Sequence, residues 1–291
     1  MVQLPNTINK AYGAACLLMS SLRTAPIVSQ PDDFLRPSLH VNVRPVRNAG
    51  GAGKLITFAS WNVYEGRSKD DVLDGIESIM QDYGADALAL QEVPRELLTH
   101  PRLAPYHIAF APDNYEGVTR DTKTNWPTNY ATSTGNAILS PHLMTDVAVV
   151  DLPIASWNYH GKTHVTRRNA IGARIAKDVE AWSTHLDLHC PPRLRAYQLA
   201  PALDFINTRK RSITLLGMDA NVIWQPVWRE RAMDLWYAHG YRDPWGDERR
   251  PFPAYLDQVL CRGAQAALHA HRILDIPGSD HRALLATFER K

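Results

Sequence analysis

The chain has 291 residues, 45% of them hydrophobic and 21% charged, with 32 Lys and Arg against 30 Asp and Glu. This is the composition of a globular protein with room for a sizeable core, and its near-balanced charge gives no reason by itself to expect a polyanionic partner. No apolar run is long enough to cross a bilayer as a helix, and Cys16, Cys190 and Cys261 form neither a CxxC pair nor a disulfide framework.

Residues 1–54 read as an N-terminal extension. They carry Pro5, Pro26, Pro31, Pro37 and Pro45 and end in the Gly-rich joint "RNAGGAGK". The apolar stretch "AYGAACLLMSSL" follows Lys10 and is interrupted by Ser20 and Ser21, so it reads as a short helix or an arm. A cytoplasmic location without a stable membrane anchor is expected, secretion being the alternative if residues 1–30 act as a signal. "LHVNVRPV" alternates, and Pro45 limits it to an edge strand.

From residue 55 to the end the texture is that of one compact domain. "KLITFASWN" is a strand. "KDDVLDGIESIMQDYG" is an amphipathic helix with Val72, Ile76, Ile79, Met80 and Tyr83 on one face and Gly84 as its stop. "ADALALQEV" is the next strand. A long polar loop through Lys123, Asn125, Trp126 and Tyr130 leads to "GNAILS", and a loop of that length suits a substrate groove. The strands "DVAVVDLP", "NAIGARIA" and "VEAWSTHLD" follow. "RLRAYQLAPALDFINT" is helical, with a kink or restart expected at Pro201. The strand "SITLLGMDAN", a Trp-rich segment, "YLDQVLCR" and "HRALLATF" close the chain. Strands dominate with helices between them, which makes the class α/β or α+β with mixed sheets.

The apolar strands share one anomaly: they deliver polar side chains at their ends. Asn62, Glu92, His185, Asp187, Asp219, Asn221 and Asp257 terminate or interrupt apolar runs, and Asp280 and His281 precede one. An unbonded polar group in apolar surroundings costs about 1–3 kcal/mol. One such residue is a satisfied core group or a turn. A series of them marks a site, because strand ends in layered α/β folds gather at one edge.

The ordered set "SWN", "LQE", "THL", "GMDAN", "YLDQVL" and "GSDHR" resembles the endonuclease/exonuclease/phosphatase superfamily over residues 55–291. The resemblance implies a four-layered α/β sandwich of two facing, mostly antiparallel sheets with outer helices. It implies metal-dependent hydrolysis of phosphate esters. Mg2+ suits such a set of hard oxygen ligands, with Mn2+ an alternative. Glu92, Asn62 and Asp280 match residues at the metal. Asp219 and Asn221 match those that hold or deprotonate the attacking water, Asp257 and His281 a carboxylate–histidine pair, and His185 the histidine at the scissile phosphate or leaving oxygen. The formal base is left open between Asp219 and His281. His189, like Asp187, reads as surface or as support behind these groups. Two departures stand out: Tyr64 occupies a position where many members carry an acid, and Met218 separates Gly217 from Asp219.

Arg168 and Arg167 are candidate phosphate ligands. Trp224 is the candidate for stacking on a base, and Trp228, Trp236 and Trp245 cluster after it, with Trp236 and Tyr237 reading as core. The expected activity is a nuclease acting on DNA or RNA as a monomer. Phospholipid, inositol-phosphate and nucleotide substrates, and a non-catalytic scaffold, are the alternatives. His185 argues for the branch that holds deoxyribonucleases, sphingomyelinases and inositol phosphatases over the abasic-site repair branch.

Overall fold

Alternation along the strands builds two sheets that share one core. In the computed structural model, which describes residues 40–42, 54–63, 68–113, 134–153, 155–159, 162–166, 168–187, 192–221, 234–246, 256–263 and 266–290, the first sheet has seven strands. They are β1 (His40–Asn42), β2 (Leu55–Asn62), β3 (Ala87–Pro94), β4 (His107–Pro112), β5 (Thr134–Ser140), β14 (Ala266–Leu274) and β15 (Ala283–Arg290), in the order β1-β4-β5-β3-β2-β15-β14. The second has six: β6 (Thr145–Asp151), β9 (Asn169–Ala176), β10 (Val179–His185), β11 (Ile213–Asp219), β12 (Tyr241–Arg242) and β13 (Asp257–Arg262), in the order β12-β13-β11-β10-β9-β6. Pairing is antiparallel except for β2 with β3 and β10 with β11. A hairpin of β7 (Ala155–Tyr159) and β8 (Lys162–Thr166) stands apart.

Successive side chains of a strand point to opposite faces. In β2, Ile56 and Phe58 therefore join Ala87, Ala89, Ile171, Ala173, Leu215 and Val259 between the sheets. Ala59 and Trp61 face outward onto helix α1 (Lys69–Glu77), against Val72, Leu73 and Ile76. On the other side Trp182, Leu216 and Leu260 face outward onto helix α2 (Pro192–Thr208), against Leu199, Ala202, Leu203 and Ile206. The result is helix, sheet, sheet, helix, the four-layered sandwich the sequence implies.

Helix α1 opens on Ser68, whose hydroxyl accepts from the Asp71 N–H, with Asp70 and Asp71 placed favourably in its first turn. After Glu77 it loosens into a π-turn, Ser78–Asp82, and Gly84 ends it in the left-handed conformation at φ 62°. Tyr83, expected on the buried face, is exposed and follows the looser turn. Helix α2 runs through Pro201 as one continuous element, with the proline exposed. Strand β1 is an edge strand, paired to β4 through Val41↔Ala109. Among the described residues no helix is long and apolar enough to cross a membrane.

Candidate active site

The same alternation that fills the inter-sheet layer with apolar side chains turns it polar at one end. Continuing by twos from the core positions, β2 reaches Ser60 and Asn62, β10 reaches Ser183 and His185, and β11 reaches Gly217 and Asp219. Strand β13 enters on Asp257, and β5 enters on Thr134 and Asn136. All of these but Gly217 are polar, and all are buried. Register completes the alignment: His185 lies beside Asp219, and Asp219 beside Asp257, on three neighbouring strands. Close approach of the sheets is made possible by Gly217, where an added Cβ would lie 2.7 Å from both the Ala89 Cβ and the Ser60 Oγ.

Two residues leave the regular pattern, and both belong to the site. Strand β3 bulges between Leu90 and Val93, with Glu92 at φ 54°. A bulge re-aims a side chain, and a Glu in the left-handed region is a strained conformation held by its surroundings. Gln91 inside the bulge donates across the layer to Ser183 Oγ at 3.0 Å, which pins the distortion. Asn221 sits at φ 49°, a conformation Asn tolerates, and its N–H donates to Asp219 Oδ1 at 2.8 Å.

The side chains converge on Asp219. Asn62 Nδ2 donates to Asp219 Oδ2 at 2.9 Å and to Glu92 Oε1 at 3.2 Å, tying the two carboxylates together. His185 Nε2 lies 3.5 Å from Asp219 Oδ2 and 3.7 Å from Glu92 Oε1. On the other side, His281 Nδ1 bonds Asp257 Oδ2 at 2.8 Å while its Nε2 lies 3.9 Å from Asp219 Oδ2. The loop that presents His281 is fastened by Ser279, whose hydroxyl donates to the Asn62 carbonyl at 2.6 Å and accepts from the His281 N–H at 3.0 Å.

Burial pushes the Glu92 carboxyl above its usual range, and the neighbouring charge of Asp219 adds to that against the pull of Arg168. Burial, and then the Arg168 charge, hold His185 well below its usual value, so it is neutral. Burial also pulls His281 down, but the Asp257 carboxylate bonded to it, with Asp219 and Asp280 nearby, outweighs this and lifts it to about 10. His281 is therefore an imidazolium at neutral pH.

Among the described residues, two groups of side chains bring ligand atoms within 4.8 Å of one another: Glu92, His185 and Asp219, and then Asp219, Asp257 and His281. The first fits a hard divalent cation. Its two carboxylates approach each other in a largely enclosed place where burial, with the Asp219 charge adding to it, raises Glu92, and Asn62 is at hand to add a carbonyl oxygen. Asp280 is exposed beside His281 and stands outside both groups, reaching the site through its charge.

Arg168 lies in the same cleft, but its Nη1 points inward, to His185 Nδ1 at 3.0 Å and Asp113 Oδ2 at 3.2 Å. Asp113 and its holders, Asn136 and Asn169, stand out only in three dimensions, since Asp113 begins the long polar loop where an Asp attracts no notice. Asp187 is buried support: its N–H donates to Gln198 Oε1, and its carbonyl accepts from Arg195 Nε, both from α2. Trp236 and Trp245 are core residues, 1% and 4% exposed, which removes them as surfaces for a base. Arg167, His189, Trp224, Trp228 and the loop residues Lys123, Asn125, Trp126 and Tyr130 lie outside the described residues.

Comparison with known proteins agrees with this fold. A sequence model of the Endonuclease/Exonuclease/phosphatase family matches residues 59–281. An endonuclease/exonuclease/phosphatase from Beutenbergia cavernae DSM 12333 superposes with a TM-score of 0.59 at 18% identity, covering 81% of this chain and 72% of its own. The human Nocturnin catalytic domain with bound sulfate does so at 0.61 and 17%, covering 81% and 94%. D. rerio TDP2 complexed with a single-strand DNA product does so at 0.53 and 16%, covering 81% and 99%. No curated protein sequence matches the chain.

Proposed function

Because this chain belongs to the Endonuclease/Exonuclease/phosphatase family, whose members are hydrolases of phosphoester bonds, we propose that it is a Mg2+- or Mn2+-dependent phosphodiesterase that cleaves nucleic acid. The observation that carries the reading is the convergence of Asn62, Glu92, His185 and Asp257–His281 on Asp219. The TDP2 relative that holds a DNA product supports nucleic acid as the first substrate class to test.

Glu92 and Asp219, with Asn62, are the residues to hold the ion. When bound, a divalent ion would supply positive charge at the phosphoryl and departing oxygens and favour ionisation of the attacking water. Asp219 is held by Asn62 on one oxygen and by the Asn221 backbone on the other, so its carboxylate is aimed before substrate arrives. His281, already protonated by its pairing with Asp257, is suited to donate to a phosphoryl oxygen rather than to accept a proton. That favours Asp219 over His281 as the group to take the proton from water. His185, held neutral, lies 3.5 Å from Asp219 Oδ2 and is the second ring at the site.

The test is nicking of supercoiled plasmid and cleavage of a labelled single strand with Mg2+, with EDTA and His281→Ala as controls. Metal-dependent cleavage lost in both controls is the expected result. A folded protein that binds Mg2+ but cleaves neither substrate would overturn the nuclease reading. Hydrolysis of nucleotide, inositol-phosphate or phospholipid substrates by the same preparation would then identify the class.

A further inference from the structure

Alternation along β3 would send Glu92 the wrong way. Leu88, Leu90 and Val93 lie in the outer layer beneath α1, while Ala87 and Ala89 lie between the sheets. Strict alternation after Leu90 turns Gln91 inward and Glu92 outward, into that apolar layer. The pairing with β5 shows the departure. Leu90 pairs with Ala137 and Val93 with Gly135, so β3 uses one residue more than its partner over this step. Glu92 lies within the step at φ 54°, and its carboxylate accepts from Asn62 at the site. A Glu with that backbone conformation needs surroundings that hold it there.

Gln91 makes bonds to both sheets. It is fully buried. Its carbonyl accepts from the Val63 N–H, just past the end of β2, at 3.0 Å. Its Nε2 donates to Ser183 Oγ at 3.0 Å and, more weakly, to Ser60 Oγ at 3.4 Å. Ser183 gives its one hydroxyl proton to the Leu90 carbonyl at 2.8 Å, so it can only accept from Gln91, and this fixes the amide with its nitrogen towards Ser183. A closed ring of bonds therefore runs from Leu90 through Ser183 to Gln91 and spans the start of the bulge. The other end of the amide gains nothing: Gln91 Oε1 is buried and meets no hydrogen-bond partner among the described residues. An unpaired buried carbonyl lowers stability, and an apolar side chain of similar length would avoid that loss. Packing alone does not account for an amide at this position, whereas its bond to Ser183 does.

Resting on the reading of Glu92 as a ligand of the divalent ion, we propose that Gln91 is a positioning residue. Through Ser183 it clasps the β3 bulge to the facing sheet and so keeps the Glu92 carboxylate turned towards Asn62 and Asp219. Residues that orient a metal ligand from behind change metal affinity by about 10- to 100-fold when they are lost.

The deciding measurement is the Kd of the full chain for Mn2+, read from the electron paramagnetic resonance signal of free Mn2+ without substrate, at a temperature where every variant is folded. Gln91→Met keeps the length of the side chain and removes the amide. It is expected to raise the Kd by about 10- to 100-fold, while the melting temperature of the metal-free chain stays at or above that of the wild type. Ser183→Ala is expected to act in the same direction. The double variant is expected to bind no more weakly than Gln91→Met, because both changes break one contact. A wild-type Kd in Gln91→Met would show that the residue only supports the fold, and would overturn the proposal. Fully additive losses in the double variant would overturn the clasp. Should Gln91→Met fail to fold, Ser183→Ala decides alone, and an unchanged Kd there is the contrary result. Cleavage plays no part in this readout: a chain that binds Mn2+ through Glu92 and cleaves no nucleic acid refutes the nuclease reading, and the Kd values still decide the role of Gln91. A Glu92→Gln variant that binds Mn2+ as the wild type does would refute Glu92 as a ligand, and this proposal with it.

Discussion

His185 and His281 share one cleft, yet their neighbours drive them to opposite charge states. His185 has a guanidinium at its side and lies well below its usual pKa; His281 has a carboxylate and rises to about 10. The pairing of His281 has a consequence for stability. Its folded-state value lies above the ordinary 6.5, so the native state holds the proton more tightly than the unfolded chain does. The contribution is complete below pH 6.5, declines as pH rises, and is gone beyond about 10. Denaturant titrations of wild type and His281→Gln are therefore expected to differ most at pH 6 and to converge towards pH 10; a gap that stays constant across this range would contradict the assignment. The residue types at these positions were legible from the motifs "THL" and "GSDHR". Their charge states were not, because Arg168 and Asp257 are neighbours only in the folded chain.

Strands carry the site, and their packing limits what can change beside it. Gly217 lies two residues before Asp219 on the inter-sheet face, where a methyl group would meet Ala89 and Ser60 at 2.7 Å. Gly217→Ala is expected to destabilise the fold by about 1–3 kcal/mol, the usual penalty for overpacking. It should also lower activity by shifting Asp219, both effects being read from urea denaturation and hydrolysis rates of the same preparation. The continuous apolar runs of β2, β3, β10, β11 and β15 are buried on both faces, which is why they stand out in the sequence. Strand β14 does not stand out. It is an edge strand, exposed over much of its length, and its sequence "AALHAHRIL" lacks both a long apolar run and a clean alternation. The bulge at Glu92 is equally silent in "ALALQEV", because the bond from Gln91 that accompanies it goes to Ser183 on the facing sheet, distant in sequence.

At the scale of the whole molecule, the site closes the open end of a sandwich whose two halves meet there. Asn62 and Glu92 come from one sheet, and His185, Asp219 and Asp257 from the other. A divalent ion held between them would bind the folded chain and not the unfolded one, and so would raise stability by mass action. Addition of Mg2+ is expected to raise the thermal midpoint, by about 2.7 kcal/mol of added stability at a hundredfold excess over Kd. Glu92→Gln is expected to abolish most of that rise, and an unchanged rise in the variant would exclude Glu92 as a ligand. Strand β1 pairs with the outer edge of β4. Replacing Val41 by Pro is therefore expected to lower the melting temperature by breaking that pairing, and an unchanged melting temperature would show that the pairing adds nothing.

The order of the motifs and the apolar runs between them determine the family and the sandwich and name the candidate residues of the site, because these depend on residue type and local period. Tertiary structure alone decides that Trp236 and Trp245 fill the core and that Glu92 sits in a strained bulge. It also turns Arg168 inward to His185 and brings Asp113, without a motif of its own, to anchor it. Each of these follows from contacts between strands distant in sequence, and a side chain's charge, tautomer and exposure are set by its neighbours rather than by the residues that flank it in the chain.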